Sequence, residues 1–105
     1  MNNQTQDTVI PAYQTFRDMT GQIVNVTDTQ ANSIELTINE VVPSSAHGQN
    51  YQSFTIGLSD IIPNRLLQGC YTFSHPEIGK QWLFCTAISA TQYEIVINRD
   101  IETKK

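Results

Sequence analysis

The stretch GCYTFSHPEIGKQWLFC, residues 69–85, concentrates the side chains of this chain that could do chemistry. It holds both cysteines, the one tryptophan and one of the two histidines. Such residues can bind a metal or act as nucleophile and base, but only at suitable spacing. The chain has no Cys-x-x-Cys and no histidine pair at ligand spacing, and His75 has no evident nucleophile partner. We therefore expect no metal, no cofactor and no enzymatic activity.

The same stretch reads more simply as a β-hairpin with Pro-Glu-Ile-Gly (76–79) at its tip. Pro76 presets the φ of a turn position, and Gly79 supplies a left-handed residue. Together with His75 they form a predicted structural turn. A hairpin tip provides neither a pocket nor a positioned partner for catalysis.

If all four residues 76–79 form the loop, the numbers of any two residues that face each other across the hairpin add up to 155, as those of Pro76 and Gly79 do. This register predicts the cross-strand pairs His75–Lys80, Phe73–Trp82, Tyr71–Phe84 and Cys70–Cys85. Four aromatic side chains then share one face and stabilise the hairpin. Opposed cysteines lie within disulfide range, so Cys70 and Cys85 are a possible disulfide. Free buried thiols are the favoured alternative, because no leader peptide directs the chain to an oxidising compartment.

Two further groups of residues could form a site. Ser44 or Ser45, His47 and Asp60 would make a triad on paper, but no Gly-x-Ser-x-Gly elbow supports it. Aromatic side chains at the mouth of a barrel could bind a ligand or a protein partner. The candidates are Tyr51, Tyr71, Trp82 and Tyr93, for which ordinary core packing is the simpler interpretation.

The charge of the chain argues against nucleic acid as a partner and is compatible with packing against copies of the chain. The net charge is -4, and the few lysines and arginines are scattered, so we expect no nucleic-acid binding. Charged residues make up 15% of the chain, against about 25% in a typical soluble domain. Thr, Gln, Asn and Ser fill 37 of 105 positions. Such a surface suits copies that pack against each other, although threonine is also simply a good strand residue.

The beginning of the chain, MNNQTQDTVIP, has no basic start and no long apolar core. We expect no signal peptide and therefore synthesis in the cytoplasm. No apolar run reaches the roughly 20 residues of a membrane helix, so membrane insertion is not expected.

Short alternating segments bounded by Gly, Pro, Asn and Ser indicate strands at 21–27, 33–42, 53–59, 69–75, 81–88 and 92–99. The alternation breaks at Glu40-Val41, which predicts a bulge. Residues 13–19 could form a seventh strand or one helical turn. No segment is long enough for a crossover helix, so we predict an all-β, antiparallel barrel or sandwich of six or seven strands. The predicted organisation is a polar arm (1–12), one β domain (13–99) and a short tail (100–105).

The segment "QGCYTFSHPEIG" (68–79) is a distinctive block, and "IELTI" (34–38), "FTIGL" (54–58), "LF" (83–84) and "YEIVIN" (93–98) lie around it. By this pattern, residues 16 to 98 resemble a family of small uncharacterised bacterial β domains. Members are often encoded near phage tail-collar-like proteins. The resemblance implies a structural or accessory role around a tail, fibre or surface appendage, in a virion or extracellular assembly. It implies no catalytic residue.

These observations favour a non-catalytic protein that assembles with itself, as a homo-oligomer, or with a tail- or fibre-like protein. We also expect the N-terminal arm to take part, with residues 8–11 added to a strand edge of their own or a neighbouring subunit. The alternative is a β module that binds a small ligand or carbohydrate through its aromatic side chains.

Overall fold

The computed structural model of the chain describes residues 11–44 and 51–100. Within these ranges one short helix precedes six strands. The elements are α1 (Tyr13–Asp18), β1 (Ile23–Thr27), β2 (Ser33–Pro43), β3 (Tyr51–Ser59), β4 (Gly69–His75), β5 (Gly79–Ala87) and β6 (Gln92–Asp100). Each of the six predicted strands is present, and the segment left open between strand and helical turn is helical.

The strands close into a barrel in the order β1-β2-β3-β6-β5-β4, with antiparallel neighbours throughout. The chain makes two three-stranded meanders, β1–β3 and β4–β6, which join through the pairs β1–β4 and β3–β6. Antiparallel strands need no crossover helix, because short turns return the chain to the next strand. The prediction of an all-β, antiparallel barrel or sandwich of six or seven strands is therefore confirmed, and of the two predicted architectures the chain forms the barrel, with six strands in the described residues.

Alternate residues of each strand point into the barrel and form one core. Its buried hydrophobic members are Phe16, Met19, Val24, Val26, Leu36, Ile38, Phe54, Ile56, Leu58, Phe73, Ile78, Leu83, Cys85, Tyr93, Ile95 and Ile97. The void between them measures about 10 Å³, whereas pockets for small molecules typically measure about 300–1,000 Å³. Side chains fill this interior, so the core itself is no ligand site.

Helix α1 packs against β2 and β3; Phe16 of the helix and Met19 at its C-cap add their side chains to the core. The ring of Phe16 lies 5.8 Å from that of Phe54, measured between centroids. The start of the helix is held by Gln52, whose Oε1 accepts the Tyr13 N–H at 2.9 Å and an Arg99 N–H at 2.7 Å. The chain therefore enters α1 beside the end of β6.

A β-bulge interrupts the pairing of β2 with β3 between Ile38 and Glu40, next to the predicted break at Glu40-Val41. Beyond the bulge Glu40 is opposite Gly57. A Cβ atom at Gly57 would lie 3.1 Å from Cγ of Glu40, so the glycine leaves space for that side chain. The bulge changes the direction of the second half of β2.

The hairpin of β4 and β5 forms where it was predicted, but the predicted register is wrong by one residue. Gly79 is opposite His75, so the loop contains three residues, 76–78, rather than four. The Ile78 N–H donates to the His75 carbonyl at 3.0 Å, and Gly79 follows at φ +66. This geometry is a tight turn closed by a left-handed residue, and it brings Gly79 into the ladder.

The corrected register separates the residues that were expected to face each other. The observed pairs are Ser74–Lys80, Phe73–Gln81, Thr72–Trp82, Tyr71–Leu83, Cys70–Phe84 and Gly69–Cys85. A one-residue slip moves every side chain of one strand to the opposite face relative to its partner. Phe73 is therefore buried, whereas Trp82 and Phe84 lie on the outside of the barrel.

Replacing Gly79 by alanine should destabilise the protein by about 1 kcal/mol, because an L-residue at positive φ is strained. The same change at Gly69 is a matched control in the same hairpin. Its φ is not in the left-handed region, and a Cβ there would meet the Tyr71 ring at 3.8 Å, an ordinary contact. Urea unfolding followed by circular dichroism measures both. Equal midpoints for the two variants would contradict the turn assignment.

Candidate functional site

The most distinctive surface of the described residues is an aromatic pair on the outer side of β5. Trp82 is 57% exposed and Phe84 is 52% exposed. They are two residues apart on one strand, so their side chains point to the same side. Thr72 and Cys70 are opposite them on β4. We call these four residues, Cys70, Thr72, Trp82 and Phe84, the aromatic face.

Opposite charges lie at the two ends of the aromatic face. Lys80 precedes Trp82 by two residues on β5 and is exposed. Two residues beyond Phe84, Thr86 lies on the same side of β5, and it is paired with Glu94 on β6. The apolar pair is therefore bounded by a cation at one end and a carboxylate at the other.

The four predicted candidate aromatics are not one site. Tyr93 is buried, and its hydroxyl accepts the Leu66 N–H at 3.3 Å. Tyr71 is half-buried and donates its hydroxyl hydrogen to the Leu67 carbonyl at 2.6 Å; burial raises its pKa. The side chain of Tyr51 is outside the described part of the chain. Only Trp82 of the four is described as exposed, and Phe84 joins it.

Both ring nitrogens of His75 form structural hydrogen bonds, one within the turn and one to a residue outside it. Its Nδ1 accepts the Glu77 N–H at 3.0 Å. In the neutral imidazole this leaves the proton on Nε2, which donates to Oε1 of Gln22 at 2.7 Å. An imidazole engaged in this way links the β4–β5 turn to the start of β1.

The two cysteines lie on opposite sides of the barrel wall, which corrects the prediction that they face each other. Cys70 is exposed, Cys85 is buried, and both are free thiols. Cys85 is opposite Gly69, and Cys70 is opposite Phe84. Burial raises the pKa of Cys85 to about 11. Cys85 is therefore a small apolar core residue, and no disulfide joins the pair.

A buried carboxylate closes the long connection between β3 and β4. Asp60 accepts hydrogen bonds from Nη2 of Arg65 at 2.8 Å, from Nε at 3.0 Å and from the Ile62 N–H at 3.2 Å. Burial alone would raise the pKa of Asp60, but these bonds and the charge of Arg65 outweigh it and lower the pKa. Because Arg65 engages both oxygens, Asp60 is not free to orient a catalytic histidine.

Within the part of the chain that the structure describes, the remaining candidates for chemistry form no assembled site. His47 and Ser45 lie outside the described residues, so the structure does not describe the hypothetical Ser–His–Asp triad. Among residues 11–44 and 51–100, no group of three or more His, Cys, Asp and Glu could hold a metal ion. None of the helices in these ranges is long and apolar enough to cross a membrane.

Residues 11–97 match the model of a protein family described as a domain of unknown function, DUF6916. No curated protein and no solved structure matches the chain. The family match covers all six strands except the last residues of β6.

Thiol labelling at pH 7.5 should modify Cys70 and spare Cys85, because only the thiolate reacts and Cys85 is buried with a raised pKa. Intact-mass measurement should show one maleimide on the native protein and two after unfolding in guanidinium. Cys70→Ser is the control, and its native form should take no label. Loss of both labels without prior reduction would indicate a disulfide and contradict the structure.

Asp60→Asn should lower the free energy of unfolding at pH 7 by about 2 kcal/mol, since it removes a charge-assisted pair. A carboxylate with a lowered pKa in the folded state adds stability above its unfolded pKa of about 3.9. That contribution is lost as the pH falls through the folded pKa. Stability should therefore fall less steeply below pH 4 in Asp60→Asn than in the unaltered protein. Asp18→Asn, at an exposed carboxylate, should change neither quantity appreciably, and equal effects at both positions would contradict the assignment.

Proposed function

We propose that this chain, which belongs to the DUF6916 family, is a non-catalytic structural protein that assembles with copies of itself through the aromatic face. The observation that carries the proposal is the exposure of Trp82 and Phe84 side by side on one strand. Tryptophan and other aromatics are the anchors that most often dominate protein interfaces. Each leaves about half of its surface in water when the chain is alone.

The charges at the ends of the aromatic face favour a second copy as the partner. When two identical faces meet around a two-fold axis with their strands antiparallel, the Lys80 end of one lies against the Glu94 end of the other. The same patch then serves both subunits, as a two-fold interface requires. Complementary charges at the rim steer such an encounter and set its orientation.

Two features of the rest of the molecule are consistent with an assembling protein. Charged residues are only 15% of the chain, so copies repel one another weakly at close range. The ring nitrogens of His75 and the oxygens of Asp60 are engaged in structural hydrogen bonds. The side chains most suited to acid–base chemistry in the described residues therefore stabilise turns.

A tail-, fibre- or appendage-like protein is the second partner that we propose for the same face. The support is the resemblance of residues 68–79 to bacterial domains encoded near phage tail-collar-like proteins. A flat strand face with two aromatics suits a neighbouring β protein of the same assembly as well as it suits a second copy.

Carbohydrate binding is the alternative function, and one observation favours it. The exposed indole of Trp82 could stack on a sugar ring. The barrel interior gives no further support, because its void measures about 10 Å³ and the hydroxyls of Tyr71 and Tyr93 are engaged within the fold.

Replacing both Trp82 and Phe84 by serine should weaken self-association at least about tenfold, because two anchors of the interface are removed. Sedimentation equilibrium between about 1 and 100 µM measures the dissociation constant. The matched control is Ile61→Ser with Leu67→Ser, which removes two apolar side chains that are 93% and 79% exposed elsewhere on the surface. A protein that is monomeric over the whole range, or is equally affected by both pairs of changes, does not assemble as proposed.

A charge exchange tests the two-fold arrangement within the same assay. Lys80→Glu alone should weaken association, since it places like charges at both ends of the face. Adding Glu94→Lys should restore it, because the attraction returns with reversed signs. Failure of the second change to compensate for the first would leave the aromatic anchors in place but would refute the antiparallel orientation.

A further inference from the structure

A pocket of about 240 Å³ lies on the outer wall of the barrel, away from the aromatic face. Around the closed barrel, β2 is three strands from β5 in either direction, so the two surfaces lie on opposite sides. Most of the predicted N-terminal arm, residues 1–10, lies outside the described residues; the pocket is built from β1–β3 and the connection from β3 to β4. Its lining includes Ile23, Glu35, Thr37, Ser59, Ile61 and Arg65.

One wall of the pocket is a row of three side chains on adjacent strands. Thr37 of β2 is opposite Ile23 on β1 and opposite Ser59 on β3. Side chains that are opposite each other in antiparallel strands lie on the same side of the sheet. Glu35 precedes Thr37 by two residues and therefore shares this outer side. The wall thus combines an aliphatic side chain, two hydroxyls and a carboxylate.

The other wall is the connection from β3 to β4, which is held against the barrel by hydrogen bonds. The Asp60 N–H donates to the Thr91 carbonyl at 2.9 Å. The Asn64 N–H donates to the Ala90 carbonyl at 2.7 Å. Arg65 donates to both oxygens of Asp60, whose side chain is 1% exposed. A wall fixed in this way is preorganised, so a ligand does not have to order it on binding.

Two opposite charges line the pocket without pairing with each other. Among the described residues Arg65 forms its ion pair with Asp60 and none with Glu35. Two of the five N–H groups of Arg65 donate to Asp60, which leaves three donors with no partner in the described part of the chain. The pKa of Arg65 is raised chiefly by its hydrogen bonds to Asp60 and also by the charge of Glu35. A ligand in the pocket therefore meets N–H donors on one side and a carboxylate on the other.

We propose that this pocket binds a small zwitterion, a free aliphatic α-amino acid, between Glu35 and Arg65. The carboxylate of the ligand accepts hydrogen bonds from the N–H groups of Arg65 that Asp60 does not use, and its ammonium group donates to Glu35. Its side chain packs on Ile23 and Ile61, which are 54% and 93% exposed without a ligand. The pocket is smaller than the about 300–1,000 Å³ typical of small-molecule sites, which suits so compact a ligand.

The charges of the pocket favour a zwitterion over a ligand with a single charge. An anion at Arg65 is repelled by the carboxylates of Asp60 and Glu35. An amine at Glu35 makes no use of the N–H donors of Arg65. An α-amino acid satisfies both groups at once and adds no net charge. The site is independent of self-association, because the aromatic face belongs to β4 and β5.

The experiment titrates L-leucine into the full chain and follows the backbone amides by NMR. Leucine at up to about 20 mM should shift the amides of Glu35, Thr37 and Arg65 in a saturable way with one dissociation constant. Two analogues serve as comparisons: 4-methylpentanoate is leucine without its ammonium group, and 3-methylbutylamine is leucine without its carboxylate. Each should bind at least about tenfold more weakly, because each lacks one charge-assisted contact.

Matched substitutions assign the contacts within the pocket. Glu35→Gln should weaken leucine binding at least about tenfold. Glu77→Gln, at an exposed position on the β4–β5 turn, should leave it unchanged. Ile61→Ser should weaken binding at least about threefold, because apolar contact with the ligand is lost. Leu67→Ser removes an apolar side chain that is 79% exposed outside the pocket, and it should have no effect.

Any of four results would overturn the proposal. The first is a titration in which leucine gives no saturable shift, and the second is an analogue that binds as tightly as leucine. The third is equal leucine binding by Glu35→Gln and Glu77→Gln. The fourth concerns the Trp82→Ser, Phe84→Ser protein, which should lose self-association and bind leucine like the unaltered chain. Loss of leucine binding in that protein would contradict a site on the other side of the barrel.

Discussion

The three-residue turn between β4 and β5 determines which side chains of this hairpin line the barrel. Gly79 takes a positive φ and is opposite His75. With one residue more in the loop, the side chains of β5 would exchange their places relative to β4. The core would then face Trp82 and Phe84, and Leu83 and Cys85 would lie outside. One left-handed residue therefore decides both the packing of the core and the chemistry of the surface.

The strands themselves could be predicted, because alternation of apolar and polar residues is a local signal. The predicted strands 69–75 and 92–99 have nearly the same bounds as β4 and β6. The bulge beside Glu40 could also be predicted, because it breaks the alternation of apolar and polar residues. The register of the β4–β5 hairpin was harder to predict from the sequence. It depends on whether Gly79 ends the loop or begins the strand, and the two assignments differ by one residue. The sequence signal for the three-residue loop was Gly79, which directly follows the Pro-containing segment 76–78.

The candidate site could be predicted only in part, for the same reason. Trp82 was recognised as a candidate, whereas Phe84 was interpreted only as a cross-strand partner of Tyr71 that stabilises the hairpin. Asp60 and Arg65 gave no sequence signal of their own, because their pairing depends on how the connection from β3 to β4 folds back onto the barrel. Tyr93 is a core residue, as the simpler interpretation of the candidate aromatic side chains predicted.

The joining of two meanders also has a consequence for how the chain reaches this fold. Each meander is held by neighbouring strands, but the barrel closes only through β1–β4 and β3–β6. Ser53 and Asn98, which share a hydrogen bond across the second closure, are 45 residues apart in the chain. Loop-closure entropy must be overcome before such distant contacts contribute, and β proteins of this kind fold in about milliseconds to seconds. Pairing within each meander closes shorter loops than the barrel does, and until closure the outer strands of both meanders have unpaired edges.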